Sequence, residues 1–363
     1  MKTFDILMTQ LHERGQNRPG LVQAMIELTY GCNLRCVHCY NPTHQARGEL
    51  PTAKVIEILN QLAAQGCLWV GFTGGEIFTR PDALDLMRHA KELGMVVTLV
   101  TNASLVTREL ASEIERLAPY QVDVSLYGAT ARTYEAVTRR PGSFDHFVRG
   151  LDALRERRIP VLLKLILMTL NRHEREPMAE FARSRSLPYQ YFTEIHPRVD
   201  GNPEPLAYRL SADEAFQIWK ETSPEAQRPE RAAEATGACH GSPGRLFACL
   251  CGKSNAAITP HGKMNLCLSI YHPLYDLSAG TVGDGWQALT RVVQEARPGP
   301  QYECQTCALA EHCTRGSMDG WLEHGAFDAP CMPYFRAVAE RKKDFYERPA
   351  YPSVSGQWPS AKK

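Results

Sequence analysis

Between residues 25 and 195, six short apolar runs alternate with amphipathic stretches, and no other feature narrows the fold as much. The runs fall at 25–29, 68–73, 95–101, 121–126, 161–168 and 189–195 and are rich in Val, Ile, Leu and aromatics. Short runs with no polar face read as strands buried on both sides. Between the first two, Val55, Ile58, Leu59 and Leu62 form one helical stripe, with Thr52 as its cap and Gly66 as its stop. Segments 82–93, 107–117, 144–157 and 174–185 repeat this helical pattern. Such alternation implies an α/β fold with a parallel sheet, here a partial (β/α)6 TIM-like barrel. Functional residues in such folds gather at the C-terminal ends of the strands. Those ends carry a cysteine run, Gly74-Gly75-Glu76, Thr101-Asn102, Ser125-Leu126-Tyr127 and Glu194.

The cysteine run reads Cys32-Asn-Leu-Arg-Cys36-Val-His-Cys39-Tyr40 and directly follows the first strand. Three thiolates this close can hold three irons of a [4Fe–4S] cube and leave the fourth iron open to a reactant. Zinc, with His38 or His44 as a further ligand, is the competing reading. Disulfides are disfavoured, because the N-terminus has no basic-then-apolar signal and the chain has no long apolar run. A cytoplasmic location and no membrane association are therefore expected. A net charge of +1 gives no bias toward nucleic acid or anionic lipid. Eleven of the twelve cysteines cluster at 32–39 and 239–331; Cys67 stands apart as a buried apolar filler.

At 363 residues, two domains are expected. The reading is an N-terminal segment (1–20), a core (21–196), a connector rich in Pro, Glu and Ala (197–236), a small Cys-rich domain (237–335) and a C-terminal helix with a Pro/Ser-rich tail (336–363). One connector helix is expected near 211–220. The short Gly-, Pro- and Cys-rich segments of the fourth region suggest a domain held by metal rather than by a large core.

This constellation resembles the radical S-adenosylmethionine (SAM) superfamily. The resemblance implies that Cys32, Cys36 and Cys39 ligate a [4Fe–4S] cluster whose open iron chelates the amine and carboxylate of SAM. One-electron reduction then yields methionine and a 5′-deoxyadenosyl radical that abstracts hydrogen from substrate. Tyr40 is placed near the adenine, and Gly74-Gly75-Glu76 against the methionyl amine, where glycine permits close approach and a carboxylate pairs with ammonium. Thr101, Asn102 and Ser125 sit where the family contacts ribose or carboxylate; loop capping is their other reading. Thr138 stands where many relatives carry arginine, with Arg139 or Arg140 as replacements. Lys164, inside the fifth run, faces either the SAM pocket or solvent.

The later cysteines resemble the SPASM domain, a small Cys-rich Fe–S domain that follows many radical SAM cores and binds two auxiliary [4Fe–4S] clusters. By this resemblance Cys304, Cys307, Cys313 and Cys331 hold one, and Cys251 and Cys267 with Cys249 or Cys239 hold the other. Ser317 replaces an expected cysteine, so either Cys239 and Cys249 both ligate or the cluster keeps an open iron. SPASM enzymes mostly modify peptides, and the segment following His196 resembles the bridge of ribosomal-peptide (RiPP) maturases. The expectation is a peptide-modifying enzyme acting on a precursor peptide with a flavodoxin- or ferredoxin-type electron donor. Because few residues precede the first strand, a separate protein is expected to recognise the leader. A radical enzyme on a small molecule, such as a haem precursor, and a plain electron carrier are the alternatives. Glu194, Tyr127 and Asp200 are the candidates for acid–base chemistry.

Overall fold

The computed structural model describes residues 19–223, 226, 244–247 and 249–347. Six strands form a parallel array in chain order: β1 Gln23–Thr29, β2 Trp69–Gly74, β3 Val96–Thr101, β4 Gln121–Leu126, β5 Val161–Ile166 and β6 Tyr189–Phe192. The crossovers carry α1 Thr52–Ala64, α2 Ala83–Glu92, α3 Arg108–Leu117, α4 Ala131–Thr138, α5 Ser143–Glu156 and α6 Arg175–Arg183. This is the partial (β/α)6 barrel expected. Its core runs between sheet and helices, with Leu59, Leu62, Phe72, Leu99, Val124, Phe147 and Leu163 fully buried. β5 and β6 stop short of the expected 168 and 195. Residues 167–168 and 193–195 instead enter the loops at the barrel mouth.

Two local readings differ. Thr52 is the first residue of α1 rather than its cap, and its hydroxyl donates to Asp82 Oδ2 at 2.6 Å. Gly66 does stop the helix, with φ of 79°. α4 was not expected as a separate helix. It exists because Thr130 caps it and Glu174 collects the exposed donors of its first turn: Ala129 N at 2.6 Å, Thr130 Oγ1 at 2.6 Å and Thr133 Oγ1 at 2.6 Å. A carboxylate at a helix N-terminus also complements the helix dipole.

The sheet does not end where the connector begins. β7 Asn255–Ile258 pairs parallel with β1, from Gln23↔Asn255 to Ile26↔Ile258. β8 Lys263–Cys267 and β9 Ile270–Asp276 follow antiparallel, giving nine strands in the order β6-β5-β4-β3-β2-β1-β7-β8-β9. This region also has a packed apolar core: α8 Val282–Glu295 buries Val282, Trp286, Leu289 and Val293 together with Met264 and Leu266. The connector helix α7 Ala212–Thr222 starts at a capping box of Ser211 and Glu214. After α9 Ser317–His324, the last helix α10 Pro333–Glu347 packs on α7, with Phe345 lying 5.8 Å from Trp219 and 6.3 Å from Phe216 between ring centres. The expected tail, 349–363, and Cys239 lie outside the described residues.

Candidate active site

The cysteine loop leaves β1 at Thr29 and is fixed from several sides. Glu49 Oε1 accepts from Thr29 Oγ1 at 3.0 Å and from the Tyr30 amide at 2.7 Å. The amides of Arg35 and Val37 donate to the carbonyls of Thr138 and Val137, each at 3.0 Å, and the Cys39 amide donates to Cys36 O at 3.1 Å. Thr138 thus serves as an anchor at the end of α4. It is fully buried, and its hydroxyl shares a 2.8 Å hydrogen bond with Ser143. Arg139 is exposed and reaches the Tyr208 hydroxyl at 3.2 Å; neither it nor Arg140 lines the pocket described below.

Gly74 and Gly75 end β2 against this loop. A Cβ on Gly74 would lie 2.3 Å from Thr29 O, and one on Gly75 would lie 2.3 Å from Gly31 O. The amides of Gly75 and Glu76 donate to Thr29 O at 2.7 Å and Gly31 O at 2.9 Å. The glycines are needed first so that two strand ends can touch, and a residue with a side chain would push the cysteine loop away. Glu76 stands behind the pocket wall. Its fully buried carboxylate accepts from Thr101 Oγ1 at 2.8 Å, Asn102 N at 2.8 Å and Phe78 N at 3.3 Å. Burial raises its pKa, and these donors oppose that rise.

Asn102 carries the connection onward. Its side chain accepts from Ser104 N at 2.9 Å and donates to Asn33 Oδ1 at 3.1 Å, and Asn33 Nδ2 donates to Ser104 Oγ at 2.8 Å. The ends of β1, β2 and β3 are thereby locked into one rigid wall. Against it lies an open pocket of about 140 Å³. Cys32, Cys36, Cys39, Tyr40, Gly74, Gly75, Thr101, Asn102 and Ser125 all line it, together with Tyr127. Of the expected core-site residues, Glu76 alone is set back. Glu194 and Asp200 are exposed and do not line it.

The chemistry of this lining fits a cationic metal cluster with a polar ligand. Burial pushes Cys32 up to about 12 and raises Cys36 and Cys39 as well, so the three thiols need a nearby positive charge to ionise. His38, its ring tilted 59° to that of Tyr127 at 5.0 Å, is kept neutral by burial, which lowers its pKa to about 4. Three further lining atoms, His38 Nδ1, Asn41 Oδ1 and His44 Nε2, are buried with no hydrogen-bond partner. Buried polar atoms are seldom left unpaired unless something else binds them. Among the described residues no three Cys, His, Asp or Glu side chains are gathered around a single-ion position.

Lys164 faces the barrel interior rather than solvent. It pairs in register with Ser125, a pocket residue, and its Nζ lies 2.5 Å from Asp123 Oδ2 on the same face. In the C-terminal region, Cys251 lies within reach of Cys249 and Cys267. Cys304 and Cys331 raise the pKa of Cys313 electrostatically, after burial, to about 11. Arg315 donates to Cys304 Sγ at 2.7 Å, and the Leu309 amide to Cys307 Sγ at 3.4 Å. The buried Ser317 hydroxyl is committed to Leu246 O at 2.5 Å. The sequence reading passed over Asn33, Asn41, His38 as a lining residue, and above all Glu27. That carboxylate is buried in β1 beneath the cysteine loop, where its only signal was a charge inside an apolar run.

Residues 26–183 match the Radical SAM superfamily model. The chain is 31% identical over 169 residues to the AdoMet-dependent heme synthase of Methanosarcina barkeri, which spans 46% of this chain and about half, 48%, of that protein. It is 27% identical over 320 residues to the mycofactocin maturase MftC of Mycobacterium tuberculosis, covering 84% of this chain and 80% of that one. Among solved structures, Streptococcus suis SuiB bound to its precursor peptide SuiA superposes with a TM-score of 0.68 at 15% identity, over 92% of this chain and 81% of SuiB; that likeness is one of fold. No helix of the described residues is long and apolar enough to cross a membrane. Residues 26–183 are thus a radical SAM domain.

Proposed function

We propose that this enzyme binds a [4Fe–4S] cluster through Cys32, Cys36 and Cys39, binds SAM in the adjoining pocket, and modifies a peptide substrate. The observation that carries the first part is the convergence of three partly buried cysteines and three unpartnered polar atoms on one pocket. A cluster so held would supply one-electron reductive cleavage of the SAM sulfonium. The chain's own residues then bind and orient. The backbone of Gly74 and Gly75 and the side chains of Thr101, Asn102 and Ser125 offer polar contacts to SAM, and Tyr40 offers a ring face. Glu76 keeps that wall rigid. Tyr127, 8% exposed, closes the pocket against water on the β4 side.

The peptide reading rests on where similarity extends. The haem-synthase match covers 46% of the chain, whereas the maturase match covers 84% and so runs into the cysteine-rich region. That region is proposed to hold two auxiliary clusters. One uses Cys304, Cys307, Cys313 and Cys331; the other uses Cys249, Cys251 and Cys267, with Cys239 as the fourth ligand because Ser317 is committed to main chain. A cytoplasmic setting, a flavodoxin- or ferredoxin-type donor and a separate leader-binding protein complete the proposal. The test is incubation of the reconstituted, reduced enzyme with SAM and a candidate precursor peptide, followed by mass spectrometry. A mass change confined to the peptide supports the reading. Turnover of a haem precursor in place of peptide overturns it.

A further inference from the structure

Glu27 is the one buried carboxylate near the pocket that the account above leaves unused. It is 2% exposed and points from β1 into a cluster of hydroxyls. Its Oε2 accepts from Tyr271 at 2.7 Å and lies 3.5 Å from Tyr30 Oη; its Oε1 is 3.4 Å from Tyr40 Oη. Tyr30 and Tyr271 share a further 3.0 Å hydrogen bond. No cation offsets its charge among the described residues. Arg80, which shares a small crevice with it, is committed to Asp82 at 2.7 Å and to Leu28 O at 2.9 Å. The other ionisable groups near the cluster are Glu49, Cys39 and His261, whose ring centre lies 5.4 Å from that of Tyr30.

Three elements meet at this carboxylate. Tyr30 and Tyr40 flank the cysteine triplet, and Tyr40 also lines the pocket. Tyr271 comes from β9, far along the chain and outside the matched radical SAM domain. Resting on the SAM-site reading, we propose that Glu27 is a positioning residue for that site: it holds Tyr40 from behind and is itself held by Tyr271, so that the C-terminal strand β9 supports the SAM pocket wall. The neutral acid is the form that suits this place, because an ionised carboxylate without a cation is costly when buried. Burial accordingly raises the Glu27 pKa to about 7, against the lowering by its tyrosine partners. Glutamine, which matches the neutral acid in shape and keeps a carbonyl acceptor, should substitute for it; alanine should not.

The test is calorimetric titration of SAM into the cluster-loaded full-length enzyme and its Glu27→Gln, Glu27→Ala and Tyr271→Phe variants, with iron content and melting temperature matched or recorded. Binding within about threefold of wild type for Glu27→Gln is expected. For Glu27→Ala a loss of about tenfold or more is expected, and a smaller loss in the same direction for Tyr271→Phe. Unchanged SAM affinity in Glu27→Ala and Tyr271→Phe overturns the proposal, since a merely structural role would move melting temperature alone. Equal losses in Gln and Ala overturn it too. If the wild type with intact cluster binds no SAM, the SAM-site reading itself fails, which separates the two claims.

Discussion

Glu76 and Glu27 show how differently two buried carboxylates can be managed within one site. Glu76 has three donors, so replacing it by Ala would leave the Thr101 hydroxyl and the Asn102 and Phe78 amides without a partner. At about 1 kcal/mol or more for each, Glu76→Ala is expected to lower unfolding free energy by about 3 kcal/mol, measured by urea titration. A loss under about 1 kcal/mol would show that these bonds contribute little. Glu27 makes a pH-dependent contribution of opposite habit to a salt-bridged acid. Its folded pKa, about 7, lies above the unfolded value of 4.5. Its contribution is therefore fully present below pH 4.5 and is lost as pH rises through 7. Over that window wild type should lose about 3 kcal/mol relative to Glu27→Gln, read as the difference in unfolding free energy at pH 5 and pH 8. A pH-independent difference would contradict it. The residues that sequence alone revealed, Cys32, Cys36, Cys39, Gly74 and Gly75, have chemistry or spacing that few other roles demand. Asn33, Asn41 and Glu27 did not announce themselves, because their meaning depends on partners as remote as Tyr271.

At the level of elements, close backbone contact does much of the positioning. α5 lies so near the loop after β3 that a Cβ on Gly150 would fall 1.9 Å from Ala103 O. Gly150→Ala should therefore move α5 or the Thr101–Ser104 loop and cost about 1–3 kcal/mol. It should weaken SAM binding in step, a pairing checked by thermal melting and calorimetry on the same sample. A stabilised protein would refute the contact, since alanine is otherwise the better helix former. The six strands were legible because parallel strands buried on both faces give uninterrupted apolar runs. α4 was not, because its start depends on Glu174, donated by a segment some forty residues later. Thr138 was read as a missing arginine, yet its fitness is steric: a small buried hydroxyl that ends α4 and receives the cysteine loop.

For the whole molecule, the continuous sheet changes how the two cysteine regions relate. β7 adds to the free edge of β1, the strand that carries the Cys32 loop, and thereby also protects an edge that would otherwise be exposed. Periodicity could not show this, since pairing between strands more than two hundred residues apart leaves no local trace. With clusters in both regions, the loaded protein should carry about 12 irons, falling by about four in a Cys304→Ser/Cys313→Ser variant while the SAM-binding cluster stays. Iron analysis with electron paramagnetic resonance reads both; loss of all iron, or of none, would contradict separate sites.

The central claim is that Cys32, Cys36 and Cys39 build a SAM-cleaving centre. Its most direct test is anaerobic reduction of the reconstituted enzyme with SAM, with 5′-deoxyadenosine quantified by chromatography and mass spectrometry. The account predicts 5′-deoxyadenosine from wild type and none above background from Cys36→Ala. Intact clusters without 5′-deoxyadenosine, or equal amounts from Cys36→Ala, would contradict it.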